Sequence, residues 1–275
     1  MTHLPLTRIG GDGVFVAEIE RALLQKRIDL AVHSLKDLPT AQPPGLRLLV
    51  AGRREDARDV LITRQAPSLD TRPPARVGTC SLRRTAQIRA LFPQAEILPL
   101  RGNVDTRLRK LEAGDYDAIV LAAAGLHRMG VPDALAARLT YLSFEQVLPA
   151  PGQGALGLEV RDEPELCAML APLNDCATQA ATFAERMFMR RLGAGCYLPI
   201  AAYGKIEAGE LALCGLVTSL DGREQVRVSR RIPWTPQSSL EAAERLGIDL
   251  AEQALAQGAD RIIAALEVLQ EEQHV

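Results

Sequence analysis

The feature that most limits the fold of this chain is a rhythm of short apolar runs alternating with helical patterns over its first two-thirds. Residues 14–26 place Phe15, Ile19, Ala22 and Leu23 on one helical face, after which Ile28, Leu30 and Val32 alternate as in a strand. Further apolar runs at 46–51, 60–62, 97–100 and 118–122 interleave with helical patterns at 82–91 and 104–111. This alternation predicts α/β layers built on open, mostly parallel sheets, because parallel neighbours need a crossover long enough to hold a helix. From Cys176 the pattern changes: a helix to Leu192, stopped by Gly193, leads into strands near 200–206, 211–219 and 224–232, then helical segments at 239–257 and 260–270. That reads as a small α+β unit. Turn formers or charge clusters break the periodicity at GRREDAR (52–58), LPAPGQG (148–154) and PLNDC (172–176). With 275 residues, 47% of them hydrophobic, the chain can fill two or three cores.

A formal net charge of -2 gives no global attraction to nucleic acid or anionic lipid, so any basic site must be local. No uncharged stretch is longer than 192–204, which is too short to span a bilayer and carries Gly and Pro. The opening MTHLPLTRIGGDG lacks the basic-then-apolar layout of a secretion signal, which makes the cytoplasm the expected location. The cysteines (Cys80, Cys167, Cys176, Cys196 and Cys214) are odd in number and without CxxC or Cys/His ligand spacing. Neither a disulfide framework nor a metal site is expected from them.

Residues 76–130 carry nine Arg or Lys against five acidic residues, inside a slightly acidic protein. In GTCSLRR, a strand ending at Val77 turns through Gly78 and Thr79, and Ser81 can cap the helix that carries Arg83 and Arg84. Such a helix start offers free backbone N–H groups beside guanidinium groups, a setting for carboxylate or phosphate. LRGNVDTRLRKL repeats the layout with Arg101 at a strand end and Arg107 on the next helix. A ring of Arg83, Arg84, Arg101, Arg107 and Arg128 at the sheet ends would suit a small polyacid. Arg109 and Lys110 read instead as a solvated helix face. Aromatic residues are only 4% of the chain, so no stacking platform for nucleic-acid bases accompanies the charges.

HSLKDLP sets Lys36 and Asp37 after a strand and before a proline turn, where a carboxylate points into the crevice in which open α/β sheets hold ligands; a plain turn former is the equal alternative. His33 reads as a strand residue with a local hydrogen bond. LGAGCYLP puts Cys196 between glycines and a proline, on a loop able to present a thiol, with Arg190 and Arg191 nearby to favour the thiolate. Cys167, Cys176 and Cys214 read as small apolar residues, while Cys80 fits either role. Gln153 in APGQGAL reads as part of a hinge. The glycines of GGDG (10–13) are a weak phosphate-loop candidate, having no preceding strand and no following lysine.

Taken in order, HSLKDLP, GTCSLRR, LRGNVDTRLRKL, AAAGLHRMG, LPAPGQGAL and RRLGAGC resemble the signature segments of the hydroxymethylbilane synthase (porphobilinogen deaminase) family, from about Ile9 to the C-terminal helix. The resemblance implies two doubly wound domains like those of type 2 periplasmic binding proteins, with a cleft between them, and a small α+β C-terminal domain. On that plan 1–54 and 150–173 form domain 1 with Asp37, 55–149 form the arginine-rich domain 2, and 174–275 form domain 3 with the cysteine loop. It implies a dipyrromethane cofactor joined by a thioether to Cys196, porphobilinogen as substrate, and a monomer. Porphobilinogen would lose ammonia to give a cationic methylene-pyrrolenine, which the free α-carbon of the growing chain attacks. Asp37 would be catalytic. Arg83, Arg84 and Arg101, helped by Ser81 and Lys36, would hold the cofactor, and Arg107 and Arg128 the substrate.

The chain also departs from the family. Members normally begin with a further strand and helix containing an Arg–x–Ser segment, and they commonly have basic residues where this chain has Asp12 and Ala17. The expectation is a first domain lacking that strand and helix, and a form that is poorly stable or inactive. A two-lobed binding module would explain the sheets and arginines but not Cys196 or Asp37. A catalytically dead homologue would keep all of these and fail with porphobilinogen.

Overall fold

The computed structural model of the protein describes residues 12–65, 74–130, 133–193 and 198–272, within which three sheets form. Helix α1 (Asp12–Leu24) leads to β1 (Leu30–Ser34) and β2 (Leu46–Ala51). The chain then crosses into β3 (Asp59–Thr63), β4 (Arg76–Gly78), α2 (Leu82–Leu91), β5 (Glu96–Leu98), α3 (Val104–Glu112), β6 (Ala118–Ala122), α4 (Ala123–Met129), α5 (Asp133–Ala136) and β7 (Leu139–Tyr141). It returns through β8 (Leu156–Arg161), and α6 (Pro164–Leu170) leads to α7 (Cys176–Arg191). β9 (Ile200–Glu207), β10 (Glu210–Thr218) and β11 (Gln225–Pro233) follow, then α8 (Leu240–Ala254) and α9 (Asp260–Glu272).

The sheet orders are β1-β8-β2, β5-β4-β6-β3-β7 and β11-β10-β9. The first two are less parallel than the alternation predicts. β8 is antiparallel to both β1 and β2, and β3 is antiparallel to both β6 and β7, while β4 is parallel to β5 and β6. The reversed strands are those that follow a crossing between sheets. β3 enters the second sheet from the first, β8 makes the return journey, and each inserts against the direction of its hosts. The middle sheet is covered on both faces: Val60 and Ile62 pack into one buried cluster with Leu111 and Ile119, and Leu61 into another with Val77, Ile88 and Val120. A strand buried on both sides is apolar along its centre, which is why 60–62 read as a continuous run.

Two faces differ from the sequence expectation. On α1 the buried stripe is Val16, Ile19 and Leu23, whereas Phe15 is 68% exposed. On β1, Leu30 and Val32 face outward, and Ala31 between them packs with Leu23 and Leu46. Alternation fixes that one face is apolar but not which parity meets the core, and a small residue suffices where a helix lies close. The third sheet is an antiparallel meander under α7 and α8. These helices cross at Gly247, where a Cβ would strike the carbonyl of Ala184, and Phe188 is fully buried beneath them.

Both crossings between the first two sheets are tied to α7. Glu185 is fully buried, and its carboxylate accepts hydrogen bonds from Arg54 Nη1 (2.5 Å) and Nη2 (3.1 Å) and from the amides of Gly152 (2.6 Å) and Gly204 (2.6 Å). Arg54 belongs to the outgoing crossing, Gly152 to the returning one, and Gly204 to β9. The crossings also touch directly, Arg54 Nε donating to the carbonyl of Gln153 at 2.8 Å. Gly154 has a φ of +89° and lies so near the Glu55 carbonyl that no side chain fits.

Candidate active site

β1 ends in a single 3₁₀ turn, Leu35–Asp37, whose two flanking leucines set its place. Leu35 and Leu38 are buried in one cluster with Val16 and Val50, and Pro39 ends the turn, so Lys36 and Asp37 are carried outward between two apolar anchors. Asp37 is exposed and Lys36 half-buried. Burial, with Arg84 beside it, pushes the Lys36 ammonium down to about 8, against the opposing pull of Asp37 and Asp59.

Across from this turn, Ser81 caps α2 by accepting a hydrogen bond from the amide of Arg84 at 3.4 Å, the role its position predicts. The first turn of α2 sends Arg83 and Arg84 inward rather than out into an open ring. Asp59, the first residue of β3 and fully buried, receives Arg83 Nη1 at 2.7 Å on one oxygen and Arg84 Nη2 at 2.8 Å on the other. Arg83 also donates to the carbonyl of Leu148 at 2.8 Å and Arg84 to that of Val120 at 3.1 Å. Gln153 Nε2 completes the knot with bonds to Asp59 (2.9 Å) and the Ala57 carbonyl (2.8 Å), a structural tie at the crossing where the sequence suggests a hinge. Burial alone would raise the Asp59 pKa, but the two guanidinium groups overcome it and hold the carboxyl well below its usual range. The buried Nε atoms of Arg83 and Arg84 and the Oε1 of Gln153 have no hydrogen-bond partner in the structure.

Arg107, on α3, donates to the Gly102 carbonyl at 2.7 Å and is half-buried. Its pKa is lowered by burial and by Arg84, with Cys80 and Asp37 acting in the other direction. Lys36 is therefore within electrostatic reach of Asp37 and Arg84, and Arg107 of Arg84, Asp37 and the exposed Cys80. Arg101 is exposed in the loop between β5 and α3. Arg128 is exposed at the end of α4 and donates to the Gly154 carbonyl at 2.8 Å, which ties it to the returning crossing. Cys196 lies outside the described residues. His33 stands 3.2 Å from Glu159 on the neighbouring β8, and burial lowers the pKa of His33 and raises that of Glu159. A surface hollow of about 520 Å³ lies at the far end of α2, lined by Arg89, Pro93, Asp221 and Arg223 among others, and none of the candidate residues borders it.

Sequence reasoning missed Asp59, Arg54 and Glu185. It also missed Arg186, which donates to carbonyls of the Leu35–Pro39 turn, and His127, which lies 3.0 Å from Glu55 Oε1 and 2.9 Å from Tyr141 Oη. Asp59 had one signal, a lone carboxylate opening a strand whose next three residues are apolar. Glu185 and Arg186 sit in a helix whose pattern gives no sign that two charged side chains point into the protein.

The family model "Porphobilinogen deaminase, dipyromethane cofactor binding domain" matches residues 1–168, and "Porphobilinogen deaminase, C-terminal domain" matches residues 180–256. A porphobilinogen deaminase of Syntrophotalea carbinolica is 47% identical over 96% of this chain and 82% of its own length. One from Bordetella parapertussis is 50% identical over 95% of this chain and 81% of its own length. Among solved structures, the BvgS VFT2 domain of Bordetella pertussis aligns with 58% of this chain and 65% of its own at 19% identity and a TM-score of 0.36. With both domain models matched and about half of all positions shared with such relatives, the chain belongs to the porphobilinogen deaminase family.

Proposed function

We propose that the protein deaminates porphobilinogen and joins the pyrroles head to tail into the linear tetrapyrrole hydroxymethylbilane, releasing ammonia, as a transferase of porphyrin and haem biosynthesis. The observation that carries this reading is the Lys36–Asp37 turn set against Arg84 and Arg107. One carboxylate is presented to a group of cations in a chain of this family, which is the donor set that an acidic pyrrole requires. The same set fits the dipyrromethane, whose acetate and propionate arms need cations and whose ring N–H groups need an acceptor. The buried cations Arg83 and Arg84 share a single counter-charge in Asp59, so the cluster keeps positive charge for a polycarboxylate. When bound through a thioether to Cys196, the dipyrromethane supplies the free α-carbon to which the first substrate is joined.

Asp37 accepts hydrogen bonds from pyrrole N–H groups, stabilises the cation left when ammonia departs, and takes the proton released from the α-carbon at its carboxylate oxygen. Lys36, Ser81, Arg83, Arg84 and Arg101 hold the cofactor's carboxylates, and Arg107 and Arg128 those of the incoming substrate. Residues 1–54 with 150–173, 55–149 and 174–275 act as the units, the first two moving about the crossings held by Glu185. The protein works as a monomer in the cytoplasm on the small molecule porphobilinogen, with no nucleic-acid or membrane partner.

The test is the intact mass of the purified protein with and without Cys196→Ala, together with turnover of porphobilinogen. Added mass equal to a linked pair of pyrroles, absent in the variant, with turnover that falls about 10²-fold or more in Asp37→Asn, is the expected result. Binding of porphobilinogen without added mass or turnover would favour a binding protein on the same scaffold.

A further inference from the structure

Among the polar side chains that the catalytic reading leaves unused, Arg186 has a distinctive set of partners. It lies on α7 beside Glu185 and is buried, 5% exposed. Its guanidinium reaches across to the turn that carries Asp37 and donates to three of its main-chain carbonyls: Nη1 to Leu35 (3.5 Å) and Leu38 (3.1 Å), Nη2 to Pro39 (2.5 Å). Glu159 lies near enough to feel its charge.

The turn needs such a clamp. A three-residue 3₁₀ segment has poor internal hydrogen-bond geometry; here Leu38 N reaches Leu35 O at 3.3 Å, and Leu35 N is held by Ala155 O at 3.0 Å. The side chains of Leu35 and Leu38 fix where the turn sits but not how its peptide planes are rotated, and that rotation aims the Asp37 carboxylate. A planar guanidinium with donors in fixed directions sets several carbonyls at once, and burial keeps water from replacing it.

We propose that Arg186 is a positioning residue for the reaction: from the third unit of the chain it fixes the main chain of the Leu35–Pro39 turn and so the direction of Asp37. This rests on the reading of Asp37 as the catalytic carboxylate. A lysine at 186 keeps the charge and much of the packing but has one nitrogen and cannot span the carbonyls served by both Nη atoms.

The experiment compares Arg186→Lys with Asp37→Asn and the unaltered enzyme, each loaded with cofactor as judged by intact mass. Steady-state kinetics with porphobilinogen are paired with amide hydrogen exchange followed by mass spectrometry. Arg186→Lys is expected to lower kcat by at least about tenfold with KM changed less than about threefold, and to speed exchange only in peptides covering 34–40. An unchanged kcat, or a lowered kcat with unaltered exchange at 34–40, would overturn the proposal. So would exchange that rises throughout α7 and its sheet, or loss of the cofactor, because Arg186 would then be structural. Asp37→Asn separates the two failures. If it abolishes turnover while Arg186→Lys does not, only the positioning role falls; if Asp37→Asn turns over normally, the reading of Asp37 falls and the positioning role with it.

Discussion

Asp59 and Glu185 are both fully buried carboxylates bound to arginine, yet they do different work. Glu185 faces one guanidinium and two backbone amides, so its charges balance and its lone pairs are used. Nothing is left over, and the result is a joint. Asp59 faces two guanidinium groups, with Lys36 also within range, so positive charge remains and two Nε atoms stay unpartnered. An unbalanced cluster of this kind is stable mainly when something acidic completes it. On the function proposed above, the balanced buried pair fastens parts together, and the unbalanced one is the place that an acidic ligand completes.

The largest test of that contrast is Asp59→Asn. It leaves two buried guanidinium groups without a counter-charge and should cost about 4 kcal/mol in denaturant unfolding, the scale for stranding buried charge. Loading with the polycarboxylate cofactor should restore part of this loss. Glu185→Gln should cost somewhat less, about 3 kcal/mol, because one guanidinium rather than two loses its counter-charge and the amide oxygen can still accept two of the four bonds. No acidic ligand should repair it, and equal rescue of both variants would erase the distinction.

A smaller effect is the acid limb of stability. The folded-state pKa of Asp59 lies below its ordinary value of about 3.9, so its pairs contribute fully above about pH 5 and are lost as the pH falls toward the folded value. Unfolding free energy measured from pH 5 downward should fall less steeply in Asp59→Asn than in the unaltered protein. Lys36 titrates on the other side: with its pKa pushed down to about 8, it loses its charge as the pH rises through that value. KM for porphobilinogen should therefore climb above pH 8, and a Lys36→Gln variant should show a higher but flatter KM across the same range. The smallest change expected is at the surface. Arg230 and Asp249 are 3.2 Å apart with both side chains about half exposed, and Asp249→Ala should alter stability by less than about 1 kcal/mol.

The sequence made local order legible and long-range pairing much less so. Helices α2, α3 and α7 carry their own caps and periodicity, and Ser81, Asn103 and Asp175 cap them in the structure. The direction of β3 and β8 could not be read, because direction depends on which sheet a strand enters. The same holds for the outward parity of Leu30 and Val32 and for the exposure of Phe15. Arg83 and Arg84 stand out as chemistry-bearing residues in GTCSLRR, but nothing local says that they turn inward to Asp59, 24 and 25 residues away, or that Gln153 joins them from 94 residues away. Six ordered signature segments made the family readable, since each is short but their order and spacing are hard to meet by chance.

The Glu185 joint also bears on how the molecule comes into being. Arg54 and Gly152 leave the ribosome before Glu185, and Gly204 only after it. During synthesis the outgoing crossing therefore holds a guanidinium whose buried partner has not been made, and the two crossings have no shared anchor until α7 exists. The first two sheets can gather their own apolar residues early, but their relative placement waits for the last third of the chain. A fragment released after residue 184 should then be cut readily by protease near 52–58 and 148–154, the very segments that become anchored once helix and carboxylate arrive.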